Sequence, residues 1–269
     1  MNVRTNKKTL NLSSEILLRK FAKTTIKCDP FHFRHSGLDL QNSHINLGGQ
    51  FLSFVPYSMS LSMIRALVSM SEREIAFFRE YQGVVQTMKL TFNSHVYGRK
   101  VDFQIWGKIA DLRQVNPDLN MVLMDFVVRR IANAYREIFI DMAMKDDSLR
   151  TLYNDEELGL RRFDGDCVWE IFGDNQTSVI PGPQTPGMFR ITSLSLKRLH
   201  IYGPVPSKLE AVGLLLKIPF VSEYPPLVFN GTVVEEERST DSDDYRHLEI
   251  EIDFHPYLAE IMQPFLSGS

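Results

Sequence analysis

Residues 211–254 read AVGLLLKIPF-VSEYPP-LVFNGTVVEEERST-DSDDYR-HLEIEIDF. Apolar side chains fall at Leu214, Leu216 and Ile218, then at Val228, Phe229 and Val233, then at Leu248, Ile250, Ile252 and Phe254. A period near two predicts strands with one face in a core and one in water. Breaks at Glu223–Pro226 and Ser239–Asp244 carry turn-forming residues. Three strands with short connections make an antiparallel meander. An apolar segment from Tyr257 to Leu266, with helical spacing, closes it.

The same passage occurs earlier. VVQTMKLTF (Val84–Phe92), VDFQIWGKIADLR and LNMVLMDF are followed by another apolar-periodic helix. Phe92 and Phe220 stand 128 residues apart, as do Phe126 and Phe254, and Gly107 and Gly231 hold matching places in the middle strands. Upstream, QFLSFVP ends at Pro56 and HIYGPVP at Pro206, an offset of 150. One insertion in the first copy, about residues 58–79, accounts for the difference of 22. The chain therefore reads as two copies of one β-rich module. The expected layout is a tail over 1–12, a first module over 13–152 with a helical insertion at about 58–79, and a second module over 153–269.

The totals suit this. A chain of 269 residues has room for two domains of about 130 residues. With 43% apolar and 23% charged residues it is a globular composition, and a net charge of −3 gives no support for general nucleic-acid binding. Cys28 and Cys167, the two cysteines, fall in different modules and read as free thiols. The polar, basic start MNVRTNKKTL carries no secretory signal, and no apolar run reaches the roughly 18–20 residues of a membrane helix. A cytoplasmic protein is expected.

Taken in order, Ser13 or Ser14 caps a short helix, SSEILLRKF. Strand-like sequence runs from Thr24 to Phe54, with a bend at Gly48–Gly49. In the insertion, Leu61, Ile64, Val68, Ile75 and Phe78 form one helical stripe. It reads either as a helix lying on its own module or as a partner or homo-oligomer surface. Tyr153–Gly159 is a polar, acidic connector, and LGLRRF after it echoes ILLRKF of the first copy, setting Arg161-Arg162-Phe163 against Arg19-Lys20-Phe21. Pro181–Gly187 is a Pro/Gly-rich interruption.

No catalytic constellation stands out: the chain has no phosphate loop, no HExxH and no nucleophile elbow. An enzyme is not expected. Cys28, His32 and His35 have loosely metal-like spacing without a fourth ligand. Asp241, Asp243 and Asp244 read as a solvated hairpin tip rather than a calcium loop. What remains is a cationic lead-in before each meander, followed by a strand with small or hydroxyl residues. Ser43-His-Ile-Asn-Leu-Gly48 fills that place in the first copy and Ser193-Leu-Ser-Leu-Lys-Arg198 in the second. Arginines on such a lead-in can grip phosphate and stack on a purine, while small polar residues let the base approach and read its edge.

On these residues both modules resemble the PilZ domain. That resemblance implies a six-stranded antiparallel barrel followed by a helix, and binding of the bacterial second messenger cyclic di-GMP. The family's marks are RxxxR on the lead-in and [D/N]xSxxG on a barrel strand. The first module offers Arg19, Lys20 and Lys23, with Ser43-x-Ile45-x-x-Gly48; the second offers Arg161 and Arg162, with Ser193, Ser195 and Arg198. Neither carries the full set. The ligand then sits at the junction of the modules, or in one of them, or both copies are degenerate. The implied function is a non-enzymatic receptor that needs no cofactor. It changes domain orientation on binding cyclic di-GMP and signals to a protein partner in motility, secretion or regulation. The alternative is a protein-interaction module that binds no nucleotide. The Arg161–Arg162 pair also reads simply as a partner for Asp155, Glu156 and Glu157, and Ser193 and Ser195 as the polar face of a strand.

Overall fold

The computed structural model describes residues 15–172, 176–180, 187–204, 214–218, 227–238 and 245–267. The tail expected over 1–12, the Pro/Gly-rich interruption up to residue 186 and the aspartates at 241–244 lie outside these. The chain divides into two compact units, Met1–Asp146 and Asp147–Ser269, so that the division falls within one helix, α4 (Asn133–Asn154). The architecture is mainly β, with one antiparallel sheet per unit.

Unit 1 opens with helix α1 (15–21), strand β1 (Ile26–Lys27) and helix α2 (Pro30–Ser36). Strands β2 (His44–Leu47), β3 (Gln50–Leu52), β4 (Phe54–Met59) and β5 (Met63–Ser69) follow, then helix α3 (Glu72–Arg79). The meander β6 (Val85–Ser94), β7 (Arg99–Asn116) and β8 (Met121–Arg130) leads into α4. Gly48 and Gly49 turn β2 into β3 with positive φ at both, 56° and 86°, a backbone that glycine adopts without strain. The sheet order is β1-β4-β5-β8-β7-β6-β2-β3. Only Ser53 separates β3 from β4, so one run of chain pairs first with β2 and then with β5. The pairing path therefore returns on itself through six strands.

Unit 2 repeats this. Helix α5 (Glu156–Leu160), strand β9 (Phe163–Asp164) and helix α6 (Gly165–Phe172) precede β10 (Gln176–Ile180), β11 (Gly187–Leu194) and β12 (Arg198–Pro204). The meander β13 (Leu214–Ile218), β14 (Leu227–Arg238) and β15 (Tyr245–Ile252) ends in α7 (Pro256–Ser267). The order is β10-β13-β14-β15-β12-β11-β9, and β10 pairs with β11 as well as β13, which returns this path also.

The two sheets correspond in register. Gly107 pairs with Val128 and Gly231 with Ile252; Asp111 pairs with Asp125 and Glu235 with Glu249, every residue displaced by 124. Both ladders slip at the same place, between Ile109 and Asp111 and between Val233 and Glu235. A second slip recurs between Pro56 and Ser58 and between Ile191 and Ser193, displaced by 135. Such irregularities re-aim side chains, so their recurrence marks one design used twice. The hairpins themselves match. Ser60 Oγ accepts from Ser62 N and Met63 N and donates to Met63 O, while Ser195 Oγ accepts from Lys197 N and Arg198 N and donates to Arg198 O.

This register corrects three expectations. The helical insertion at 58–79 shrinks to α3, Glu72–Arg79, because Met63–Ser69 is strand β5, the counterpart of β12. The stripe misled because Ile64 and Val68 satisfy a period of two as well as four; both are buried, 0% and 3% exposed, in the middle of the sheet. Ile75 and Phe78, at 6% and 0%, complete it as core, so the stripe offers no oligomer surface. The offset of 150 is replaced by 135, since QFLSFVP lies in β3–β4 while HIYGPVP covers the next strand along, β12. Within β14, Val228 is exposed rather than inward.

The predicted alternation otherwise holds where side chains are described. Leu248, Ile250 and Ile252 on β15, and Val122, Met124 and Phe126 on β8, are each at most 1% exposed. Gly107 is required by close packing: a Cβ there would lie 2.4 Å from both the Phe126 ring and the Val127 carbonyl oxygen.

Candidate functional site

In unit 2 the lead-in is held against the sheet. Asp155 caps α5 through Glu157 N and Leu158 N, and the helix ends at Arg161. The chain then extends into β9, which pairs with β11 so that Asp164 faces Ser193 and Phe163 faces Leu194. Asp164 turns the chain into α6 by accepting from Cys167 N at 2.9 Å. Arg161 and Arg162 are thus the two residues that lead directly into a strand paired with the hairpin motif. Arg161 is half-buried; its Nη1 donates to Leu266 O of α7 at 3.2 Å and its guanidinium lies 6.0 Å from the Phe163 ring.

Arg162 is exposed and lines a pocket of ≈ 380 Å³ with Thr192, His200 and His247, and with Glu235, Glu237 and Glu249. Thr192 occupies the slip in β11, and its Oγ1 donates to His200 O at 3.2 Å. Nε2 of His200 is buried and has no hydrogen-bond partner among the described residues. Burial, and then the positive charge of Arg162, lower the His200 pKa, so its imidazole is neutral at pH 7. A buried polar atom without a protein partner is uncommon, and a water or a ligand group can satisfy it. Glu249 is already engaged by Arg198 Nη1 at 3.3 Å.

The expected site residues sort as follows. Arg162, Thr192 and His200 share the pocket, and Ser193 is the cross-strand neighbour of both His200 and Asp164. Ser195 is 0% exposed, with its hydroxyl spent on the hairpin turn. Arg198 begins β12 and neutralises Glu249. Arg19, Lys20 and Lys23 are exposed in unit 1, on and just after α1, with the Lys20 ammonium 4.8 Å from the Phe21 ring.

The matching of Arg19-Lys20 to Arg161-Arg162 does not survive the register. β1 pairs Lys27 with Ser58 as β9 pairs Asp164 with Ser193, so Thr24 and Thr25 stand where unit 2 has its arginines. Likewise Ser58-x-Ser60-x-x-Met63, not Ser43–Gly48, is the first copy of the hairpin motif. Ser43 Oγ instead donates to Asp39 O and accepts from Thr91 N, joining the start of β2 to β6. Gly48 lies against Tyr81, whose ring atoms come within 2.6 Å of where its Cβ would be.

Thr192 and the three glutamates were missed by sequence reading. They come from β11, β14 and β15, and only pairing brings them to His200 of β12. Cys28, His32 and His35 do not form one group. Cys28 Sγ faces Ile26 O; His32 sits between Asp29 at 2.8 Å and Asp146 at 3.4 Å; His35 reaches Asp141.

No protein-family model matches the chain, and no curated protein does. Among solved structures it is similar to the Borreliella burgdorferi PlzA protein in complex with c-di-GMP, at 13% identity and a TM-score of 0.46, covering 96% of this chain and 99% of that one. It is also similar to the Bacillus subtilis inhibitor of motility MotI/DgrA, at 9% identity and a TM-score of 0.30, covering 84% and 93%. A third is Escherichia coli YcgR in complex with c-di-GMP, at 11% identity and a TM-score of 0.29, covering 95% and 88%.

Proposed function

We propose that this chain is a cyclic di-GMP receptor of the PilZ type, a non-enzymatic effector that signals to a protein partner. Each six-stranded pairing path is then a PilZ-like barrel with its closing helix, and unit 2 holds the ligand. The observation that carries the reading is that Arg162 and the unpartnered His200 Nε2 line one pocket, beside the strand that Ser193 ties to the arginine lead-in.

The chemistry is specific. A guanine presents O6 and N7 as acceptors, which an arginine fork matches, and N–H groups on its opposite edge, which carboxylates accept. Arg162 supplies the first kind of group, and Glu235 and Glu237 supply the second. Arg161, beside Arg162 on the same lead-in, adds positive charge for phosphate. Ser195 keeps the hairpin in shape, and Arg198 offsets Glu249, so that one carboxylate fewer opposes an anionic ligand. Ligand bound to the lead-in favours whichever arrangement of the chain grips it better, which is how an occupied site informs a partner.

A second reading, a nucleotide-free interaction module, draws on the three glutamates around the pocket, an unfavourable surround for a ligand with two phosphates. Calorimetric titration of the full chain with cyclic di-GMP, with GTP as control, decides between them. Saturable binding that disappears in Arg161→Ala/Arg162→Ala, with the fold retained, is the expected result. A flat titration at high protein concentration establishes the second reading.

A further inference from the structure

A second cluster lies in unit 1, away from any motif. The last turn of α2 places His35, the turn between β6 and β7 places His95, and α4 places Asp141. His35 Nε2 and His95 Nε2 approach the same carboxylate oxygen, Asp141 Oδ2, at 3.1 and 3.0 Å. All three ligand atoms fall within 4.8 Å of one another. The imidazole rings are 5.0 Å apart.

We propose that His35, His95 and Asp141 form a binding site for one divalent transition-metal ion, Zn²⁺ by its donor set. Two imidazole nitrogens and a carboxylate suit zinc, which takes nitrogen and oxygen at about 2.0–2.2 Å in a tetrahedral array. Ligands of such an array stand about 3.3 Å apart. The two nitrogens are within a few tenths of an ångström of that distance from Oδ2 and within 4.8 Å of each other, so adjustment of half-exposed side chains admits the ion. Their exposures, 22% for His35, 53% for His95 and 30% for Asp141, leave the site open to solvent, with room for water as the fourth ligand.

The supports of the site are independent of the ion. The His35 ring lies parallel to that of Phe31, 6.0 Å away and 7° from coplanar, and Phe31 is 1% exposed. The turn that carries His95 is fixed to α4 a second time, by Tyr97 Oη donating to Glu137 Oε2. Glu137 and Asp141 are one helical turn apart, while His95 and Tyr97 are two residues apart, so turn and helix meet at two points in register. A ligand set carried on a braced turn and two helices is the arrangement that keeps metal ligands aimed. Without the ion each Nε2 donates to Asp141 Oδ2; to bind it, each imidazole must carry its proton on Nδ1 and turn the Nε2 lone pair to the metal.

The test is equilibrium dialysis of the full chain, stripped with chelator, against Zn²⁺, with Co²⁺ absorption spectra to report coordination. The variants His95→Ala and Asp141→Asn accompany it; the first alters an exposed turn residue and the second keeps the size of the side chain. The expected result is one ion per chain with a tetrahedral Co²⁺ spectrum. Affinity should fall in each variant by more than the roughly 10- to 100-fold that an outer-shell loss costs. Circular dichroism of the metal-free variants should match that of the metal-free parent. Absence of binding overturns the proposal, and so does binding that both variants retain, which places the ion on other residues.

Discussion

The two units carry the same ladder, the same slips and the same serine-locked hairpin, yet they treat one spot on that ladder in opposite ways. In unit 1, Arg65 and Asp125 are direct cross-strand partners and close on each other, with Nε to Oδ1 at 2.6 Å and Nη2 to Oδ2 at 3.1 Å. In unit 2 the same two positions hold His200 and Glu249. There the carboxylate takes its cation from Arg198, two residues before His200, and the imidazole is left facing a pocket. The lead-ins differ in the same sense, Thr24-Thr25 against Arg161-Arg162. A bidentate pair satisfies itself and leaves nothing for a ligand. In unit 2 the imidazole and the neighbouring Arg162 line a pocket instead. One ladder register thus occurs in both units, and they differ at this spot through a handful of side chains.

The largest effect that tests this contrast falls on the arginines. Each charge-assisted hydrogen bond is worth about 1.5–3 kcal/mol, so Arg161→Ala/Arg162→Ala is expected to weaken cyclic di-GMP binding by about 100-fold or more. Thr24→Ala/Thr25→Ala should leave it unchanged. Equal losses in calorimetry from both double variants would break the assignment of the ligand to unit 2.

Next comes a difference in pH response. Burial works against charge on His32, but the adjacent carboxylates of Asp146 and Asp29, at 3.4 and 2.8 Å, outweigh it and raise the pKa to about 9. A raised histidine pKa stabilises the folded state fully below the unfolded value, about 6.5, and that stability is lost as pH rises through the folded value. Unit 1 should therefore unfold at progressively lower urea between pH 6.5 and 9, and His32→Gln should flatten that slope. Fluorescence-monitored unfolding across the window reads it.

Gly107→Ala follows. Its Cβ would meet Val127 O and the Phe126 ring at 2.4 Å, and overpacking of this kind costs about 1–3 kcal/mol. Since Gly231 holds the same register, Gly231→Ala should cost unit 2 a similar amount. A neutral Gly231→Ala would show that the units pack differently beneath a shared ladder.

Smaller again, Ser60→Ala and Ser195→Ala should each lower stability by about 1 kcal/mol, the worth of a typical hydrogen bond. Ser195→Ala should leave nucleotide affinity unaltered; a large affinity loss without destabilisation would return that hydroxyl to the ligand. The least effect is expected from Arg65→Ala. Arg65 is about one-third exposed, and partly solvated pairs contribute about 1 kcal/mol or less.

Local sequence carried much of this. The meanders at 84–126 and 211–254, the closing helices and the duplication all rest on apolar periodicity, which a chain displays whether or not it is folded. The lead-in arginines and the Ser193–Arg198 stretch were visible as residue types in order. Periodicity failed where one set of residues satisfies two periods, as Ile64 and Val68 do. Neighbours on both sides, β4 and β8, made Met63–Ser69 a strand. Counting along the chain also failed to align the copies, because α3 and its turns lengthen one connection, whereas hydrogen-bond register does not depend on loop length.

The sequence by itself determined the repeated β modules and the cations that precede the second. Tertiary structure alone decided which threonine, histidine and glutamates face Arg162, and that His95 and Asp141 join His35 across 60 and 106 residues of chain. The reason is physical: alternation is a local property of one strand, but a pocket or a ligand set is built from side chains on different strands and helices. Their meeting is fixed by pairing and packing, and a linear pattern does not encode it.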